Sequence, residues 1–253
     1  MNIIDTHCHL DLPAFDKDRE QILTSCRTLG ISNIIVPAIE SESWHKLLNY
    51  CYYNTALEPA LGLHPVFIKK HKRSDIDLLD QYLCDHKVCA VGEIGLDFYI
   101  ENTDKDKQID FFEMQLSVAE KHNLPVILHV RKAHDEVLTL IKASNVRTGS
   151  CHAFNGSIEQ AKRYIDLGFK LGFGGTMTYP GARKIHHLAT TLPLDAILLE
   201  TDAPDMSAYG HRGKRNQPDF IIDALNALAT LKKLPVETIA AQTTQNACEL
   251  FRL

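Results

Sequence analysis

Short β-branched runs alternate with longer amphipathic stretches along the chain, and this alternation constrains the fold more than any other feature. We predict eight strands, over residues 3–7, 33–38, 60–64, 88–93, 125–129, 148–152, 169–173 and 196–201. Helical periodicity lies between and after them, as in residues 104–122, 218–231 and 236–250. Most strand runs are apolar throughout, which is typical of parallel strands buried on both faces.

Eight strand–helix units in 253 residues match the usual size of a TIM barrel. A doubly wound open sheet is the alternative, but the GxGxxG and GxxxxGK[ST] motifs of its nucleotide-binding versions are missing. No low-complexity segment or Pro/Ser-rich linker interrupts the chain. We therefore predict one α/β domain over residues 1–253, a single (β/α)8 barrel.

Composition narrows the class of protein. No apolar stretch approaches the ~18 residues of a membrane span, and the N-terminus lacks the features of a secretory signal. The seven cysteines include no CxxC pair, so we expect reduced thiols and a cytoplasmic location. We also expect the protein to be a monomer. The net charge of -5 means that any contact with nucleic-acid phosphates has to be local.

Histidines and carboxylates lie at the ends of several predicted strands. His7 and His9 alternate along the first strand and so share a face. Because the carboxyl ends of barrel strands meet at one mouth, we expect the histidines and carboxylates at the ends of the other strands to lie beside His7 and His9. We predict six metal ligands in all: His7, His9, Glu93, His129, His152 and Asp202.

Nitrogen and carboxylate ligands suit Zn²⁺, Mn²⁺, Fe²⁺ or Mg²⁺, and four imidazoles favour zinc-like metals over magnesium. Six ligands suit two divalent ions, with Glu93 as the bridge between ions ~3.5–4 Å apart. Bound ions lower the pKa of water, and Asp202 is the candidate catalytic group that accepts its proton. Asp202 could also be a helix N-cap before Ala203 and Pro204.

Neighbours of the predicted ligands have supporting roles. We expect Glu200 either to be structural or to support a metal ligand from behind, and Asp5 is a candidate for orienting a ligand imidazole. Strand alternation turns Cys8 and Cys151 away from the mouth.

Sequence strings at these positions resemble the TatD family of metal-dependent hydrolases. They include Asp-Thr-His-Cys-His-Leu-Asp (5–11), Gly-Leu-His-Pro (62–65), Gly-Glu-Ile-Gly-Leu-Asp (92–97), His-Ala-Phe-Asn-Gly-Ser (152–157) and Leu-Glu-Thr-Asp-Ala-Pro (199–204). The resemblance implies a TIM barrel, a two-metal centre held by the same six residues, and deoxyribonuclease activity, often 3′–5′ exonucleolytic. Asp205 departs from the family, which commonly has an aromatic or apolar residue there.

Three basic patches follow predicted strand ends, at residues 69–73, 131–132 and 211–215, and they favour an anionic substrate. Arg131 and His64 are the candidate phosphate contacts. Backbone amides of residues 174–176 offer another, and Phe98, Tyr99 and Tyr179 are candidate stacking groups. We predict that the substrate is a short or terminal stretch of DNA, or RNA or another phosphate-bearing molecule.

Two other functions remain open. An amidohydrolase-type enzyme cleaving a C–N or ester bond would share the ligand layout, but many such barrels use a carbamylated lysine where this chain has Glu93. The other is a non-catalytic metal- or nucleic-acid-binding protein, and the intact ligand set together with the position of Asp202 argues against it.

Overall fold

The computed structural model describes residues 1–253. Eight parallel strands form one sheet in which the spatial order follows the chain order. They are β1 (Ile3–Asp5), β2 (Ile31–Pro37), β3 (Leu57–Leu61), β4 (Ala90–Asp97), β5 (Val126–Arg131), β6 (Gly149–Cys151), β7 (Phe169–Phe173) and β8 (Ile197–Leu199). This order with helical crossovers confirms the predicted TIM barrel.

The barrel closes between β1 and β8 through the residues that follow these two strands. The Thr6 amide donates to the carbonyl of Leu199 at 3.0 Å, and the Asp202 amide donates to the carbonyl of His7 at 2.8 Å. Beyond them, Cys8 and the residue after Asp202 form a parallel bridge. The seam therefore holds the backbones of His7 and Asp202 side by side.

Nine α-helices surround the barrel. They are α1 (Arg19–Leu29), α2 (Trp44–Tyr53), α3 (Ser74–Asp85), α4 (Lys105–Lys121), α5 (His134–Ala143), α6 (Ile158–Asp166), α7 (Arg183–Thr191), α8 (Ile221–Lys232) and α9 (Val236–Phe251). None of them combines the length and the apolar character that crossing a bilayer requires.

Two apolar clusters hold these layers together. The larger cluster has 59 buried residues and lies between the helices and the strands. The smaller cluster has ten, and in it strand residues such as Ile35 and Ile127 pack with Leu250 and Phe251 of α9. Since strand side chains alternate, the smaller cluster fills the barrel interior, and α9 covers the end opposite the predicted mouth.

β4 extends past its predicted end at Glu93, so this residue lies inside the strand. The pairing of β4 with β5 shifts between Val91 and Ile94, where β4 has one residue more than its partner. Such a bulge turns a side chain out of the regular alternation, and here it directs the Glu93 carboxylate towards the imidazoles. The strand then continues to Asp97.

Other predicted strand limits were wrong by a few residues. β3 begins three residues before the predicted start, since Leu57 already pairs with Ile34. β1, β6 and β8 end two, one and two residues early, and the chain after β1 and β8 follows the seam described above. The predicted helix at 218–231 begins with a 3-10 turn, Pro218–Phe220, before α8.

Candidate metal centre

The first group of side chains at the mouth surrounds one oxygen of Glu93. Glu93 Oε2 lies 3.1 Å from Nε2 of His7 and 3.3 Å from Nε2 of His9. The two nitrogens are 3.3 Å apart. Asp202 Oδ1 lies 3.6 Å from His7 Nε2 and 3.7 Å from His9 Nε2. Four ligand-type atoms from β4 and from both sides of the seam therefore face one point.

The second group surrounds the other oxygen of the same carboxylate. Glu93 Oε1 lies 2.8 Å from Nε2 of His152, 2.9 Å from Nδ1 of His129 and 3.2 Å from Nε2 of His64. The facing nitrogens of His129 and His152 are 3.2 Å apart. Glu93 thus joins two groups of ligand-type atoms, one on each oxygen.

These atoms fit divalent cations in chemistry and in spacing. All are imidazole nitrogens or carboxylate oxygens, and three overlapping sets of them each lie within 4.8 Å of one another. A tetrahedral ion with ~2.0–2.1 Å bonds to nitrogen and oxygen separates its ligand atoms by roughly 3.3 Å. The structure brings together all six predicted ligands at such spacings, and their role as ligands stays a prediction.

The hydrogen bond at the second ring nitrogen distinguishes His64 from His9. Nδ1 of His9 lies 3.0 Å from the carbonyl of Pro37, which can only accept, so neutral His9 keeps its proton on Nδ1 and directs the lone pair of Nε2 towards the centre. In His64 the pattern is reversed, since Nδ1 accepts from the Val66 amide at 3.1 Å. Neutral His64 therefore carries its proton on Nε2, which makes it a hydrogen-bond donor and a poor metal ligand.

Burial and mutual charge set the protonation of the centre. Burial opposes the ionisation of Glu93, but the surrounding imidazoles outweigh it and hold the pKa of Glu93 well below its usual range. Burial also disfavours the imidazolium of His9 and His152, yet the Glu93 carboxylate raises the pKa of His9 to about 9 and that of His152 to about 10. An incoming cation has to displace these protons, so its binding releases them.

A cavity of about 610 Å³ opens beside these side chains. It is lined by ligand-type residues and by both predicted substrate contacts, His64 and Arg131. Arg131 is the only lysine or arginine in the lining, and its Nη1 lies 3.4 Å from Asp97 Oδ2. Thr176 and Asp205 line the cavity too, so the loops after β7 and β8 reach the mouth.

Two of the three predicted basic patches lie elsewhere. None of residues 69–73 or 211–215 lines the cavity. Lys70 pairs with Glu40, Arg215 with Asp18 and His211 with Asp223, at 2.8, 2.6 and 3.0 Å. The Tyr179 hydroxyl donates to the carbonyl of Ser207, and Tyr179 does not line the cavity. These four side chains therefore contact other parts of the protein instead of the cavity.

Three expectations about neighbouring residues have different outcomes. Glu200 is structural as predicted, because it is buried and its Oε1 accepts from the Ala153 amide at 2.6 Å. The role predicted for Asp5 was wrong, since its carboxylate accepts from the backbone amides of His7 and Thr201 and orients no imidazole. No helix begins at Asp202, so it is not a helix N-cap.

Two further residues shape the centre and were missed in the sequence. Asp97, at the end of β4, places Oδ2 3.1 Å from Nε2 of His129. The buried Gln108 of α4 accepts from the Asp97 amide at 2.8 Å and fixes the strand end. The sequence feature that could have revealed Gln108 is a glutamine among the apolar positions of α4.

Comparison with known proteins agrees with this architecture. The family model described as "TatD related DNase" matches residues 4–252. The chain is 41% identical to the uncharacterised metal-dependent hydrolase YjjV of Escherichia coli K12, over 99% of this chain and 98% of YjjV. It is 40% identical to an uncharacterised metal-dependent hydrolase of Haemophilus influenzae, over 99% of this chain and all of that protein.

Solved structures give the same result. The crystal structure of YjjV, described as a TatD homologue from Escherichia coli K12, superposes with a TM-score of 0.96, covering 99% of this chain and 98% of that one. A TatD family hydrolase from Entamoeba histolytica, 21% identical, shares the fold with a TM-score of 0.85 over 99% of this chain and 98% of that one. The chain therefore belongs to the TatD family of metal-dependent hydrolases.

Proposed function

We propose that the chain is a two-metal phosphodiesterase that removes nucleotides from the end of single-stranded DNA. The observation that carries this proposal is the position of the Glu93 carboxylate, whose two oxygens face two separate groups of imidazoles. Such a bridge suits a pair of ions that act together on one phosphate. The family model's description as a DNase supports the same substrate class.

Each group of side chains would hold one ion. His7, His9 and Asp202 would hold the first, His129 and His152 the second, and Glu93 would contact both. When bound, divalent ions supply positive charge for the phosphate and lower the pKa of a water molecule. We take zinc or manganese as the best candidates and magnesium as the third, because imidazoles supply most of the ligand atoms.

The protein's own groups would position the substrate and move protons. Asp202 forms no ion pair with a lysine or arginine. Its carboxylate borders the cavity, where it can accept a proton from the attacking water. His64 carries its proton on Nε2, 3.2 Å from Glu93 Oε1, and could turn this N–H to a phosphate oxygen bound beside that carboxylate. Arg131 can approach the phosphate from the rim.

The size of the cavity favours a strand end over a duplex. About 610 Å³ is within the range that holds a drug-sized ligand, which is also the scale of one nucleotide. With Arg131 as the only lysine or arginine in its lining, the cavity cannot hold many phosphates of a longer strand. A terminal nucleotide in the cavity fits these dimensions, and the polarity of attack is taken as 3′ to 5′ from the family resemblance.

The direct test is a nuclease assay on single-stranded DNA labelled at either end, with zinc, manganese or magnesium added to metal-depleted protein. The proposal predicts metal-dependent, stepwise release of nucleotides from the 3′ end. Asp202→Asn protein should stay folded and lose the activity. A panel that includes amides and lactones covers the amidohydrolase alternative, and hydrolysis there without DNA cleavage would reject the nuclease. Retained DNA binding without turnover under any metal would favour a non-catalytic binding protein.

A further inference from the structure

An exposed aromatic ring lies beside the mouth, outside the metal centre. Tyr99 follows β4 and is 55% exposed. Two cations approach its ring: Cζ of Arg131 lies 4.3 Å and Nζ of Lys132 4.6 Å from the ring centroid. Because Arg131 also lines the cavity that contains the candidate metal ligands, the patch is continuous with the proposed site.

Next to this ring lies an open groove of about 750 Å³, lined in part by Phe98, Tyr99, Lys105 and Lys132. Lys105 places its ammonium group 4.8 Å from the ring centroid of Phe98. Neither lysine belongs to the ion-paired lysines of the chain, which are Lys46, Lys70, Lys121 and Lys170. The groove thus combines aromatic surface with two lysine ammonium groups that form no ion pair.

We propose that Tyr99, Arg131 and Lys132 form a stacking subsite for a base that neighbours the scissile phosphodiester of single-stranded nucleic acid. The inference rests on the proposed function and extends it to a second position on the substrate. Proteins that hold single strands combine aromatic rings, on which bases stack, with cations that follow the phosphates. Arg131 would connect the two positions, since it borders both the cavity and the ring of Tyr99.

The subsite is short. Glu101 also lines the groove, and its carboxylate repels a phosphate that would continue in that direction. One base on Tyr99 with its phosphate near Lys132 satisfies the groove, whereas a long bound strand would meet negative charge. This length agrees with an enzyme that engages the end of a strand.

The test compares Tyr99→Ala with Tyr99→Phe, which retains the ring, and with Tyr52→Ala. Tyr52 is 81% exposed on α2 and belongs to neither the groove nor the cavity, so it is the matched control. Substrates are single-stranded oligonucleotides with one abasic position, moved through the first four nucleotides from either end. Binding is read by fluorescence anisotropy on metal-loaded Asp202→Asn protein, and KM and kcat are read on the active enzyme.

We expect Tyr99→Ala to raise the dissociation constant and KM about tenfold, as loss of one stacked base does, with kcat changed by less than about twofold. Tyr99→Phe should bind as tightly as the unaltered protein. At one abasic position the unaltered protein should lose about as much affinity as Tyr99→Ala does, and Tyr99→Ala should lose nothing more.

Two results would overturn the subsite. One is a Tyr99→Ala protein that binds and cleaves like Tyr52→Ala. The other is a loss of affinity for abasic substrates that is the same in Tyr99→Ala as in the unaltered protein at every position. Cleavage that is independent of Tyr99 rejects the subsite alone. Tyr99-dependent binding by a protein that cleaves no DNA supports the subsite and rejects the nuclease.

Discussion

Asp97 Oδ2 lies 3.1 Å from Nε2 of His129, while the other ring nitrogen of His129 faces Glu93 at 2.9 Å. Since a carboxylate accepts a hydrogen bond, Asp97 holds a proton on Nε2 of His129, so that a cation at the candidate position has to displace only the proton that Nδ1 shares with Glu93. The carboxylate thereby acts on the metal centre through an imidazole.

This relationship predicts the effect of Asp97→Asn. The amide weakens the orientation of His129, so affinity at the second metal position should fall about 10–100-fold. Competition titration with a metal chelator measures this change, and circular dichroism checks that the fold is intact. Unchanged affinity in a folded variant would show that Asp97 has no part in metal binding.

His64→Ala should separate metal binding from turnover. Because the Val66 amide leaves the His64 proton on Nε2, we expect the variant to keep its full metal content. Loss of one aligned donor should lower kcat roughly 10²–10³-fold on a phosphodiester substrate. Elemental analysis and steady-state kinetics give the two readouts. A variant that loses a metal equivalent would instead make His64 a ligand.

Gly62→Ala should disturb the backbone that carries Glu93. A β-carbon at residue 62 would lie 2.7 Å from the carbonyl carbon of Gly92 and 2.9 Å from the Glu93 amide nitrogen. Backbone atoms cannot move aside freely, so we expect a loss of about 1–3 kcal/mol in the free energy of unfolding, together with weaker metal binding.

Gly181→Ala is the matched control, because a β-carbon there meets nothing within 4 Å. Urea denaturation of both variants measures the difference. If the two variants have equal stability and equal metal affinity, the contact between residue 62 and the Glu93 backbone does not constrain the site.

The buried carboxyl of Glu200 should make the metal-free protein less stable as pH rises. Burial raises its pKa from 4.5 to about 8. The unfolded chain ionises first, so stability that is present below about pH 4.5 is lost progressively up to about pH 8, by a few kcal/mol at most.

Glu200→Gln removes this titration. Urea denaturation of metal-free protein at pH 5 and pH 8 should show a smaller decrease for the variant than for the unaltered chain. Equal decreases in both proteins would mean that Glu200 is ionised in the folded state.

The barrel and the convergence of the six candidate ligands could be predicted because both follow from strand periodicity. His7, His9 and Asp202 lie on the two sides of the seam, and strand order alone places them at one mouth. The bulge in β4 could not be predicted from the hydrophobic pattern, because one extra residue in a strand that is buried along its whole length leaves no break in that pattern. Asp97, four residues after Glu93, was missed for that reason.

The basic patches show a different limit. Their positions after strand ends predicted a charged mouth, but the partners of Arg215 and His211 are Asp18 and Asp223, one of them nearly two hundred residues away in the chain. Ion pairing of this kind depends on tertiary contacts that no local pattern contains. Arg131 is the predicted cation that reaches the cavity.

Metal stoichiometry tests the central claim most directly. Elemental analysis of protein reconstituted with zinc or manganese and freed of excess metal should give two ions per chain. Glu93→Gln should bind fewer than two, because its amide cannot serve both groups of imidazoles. A single ion in the unaltered protein, or two tightly bound ions in folded Glu93→Gln, would contradict a dinuclear centre bridged by Glu93.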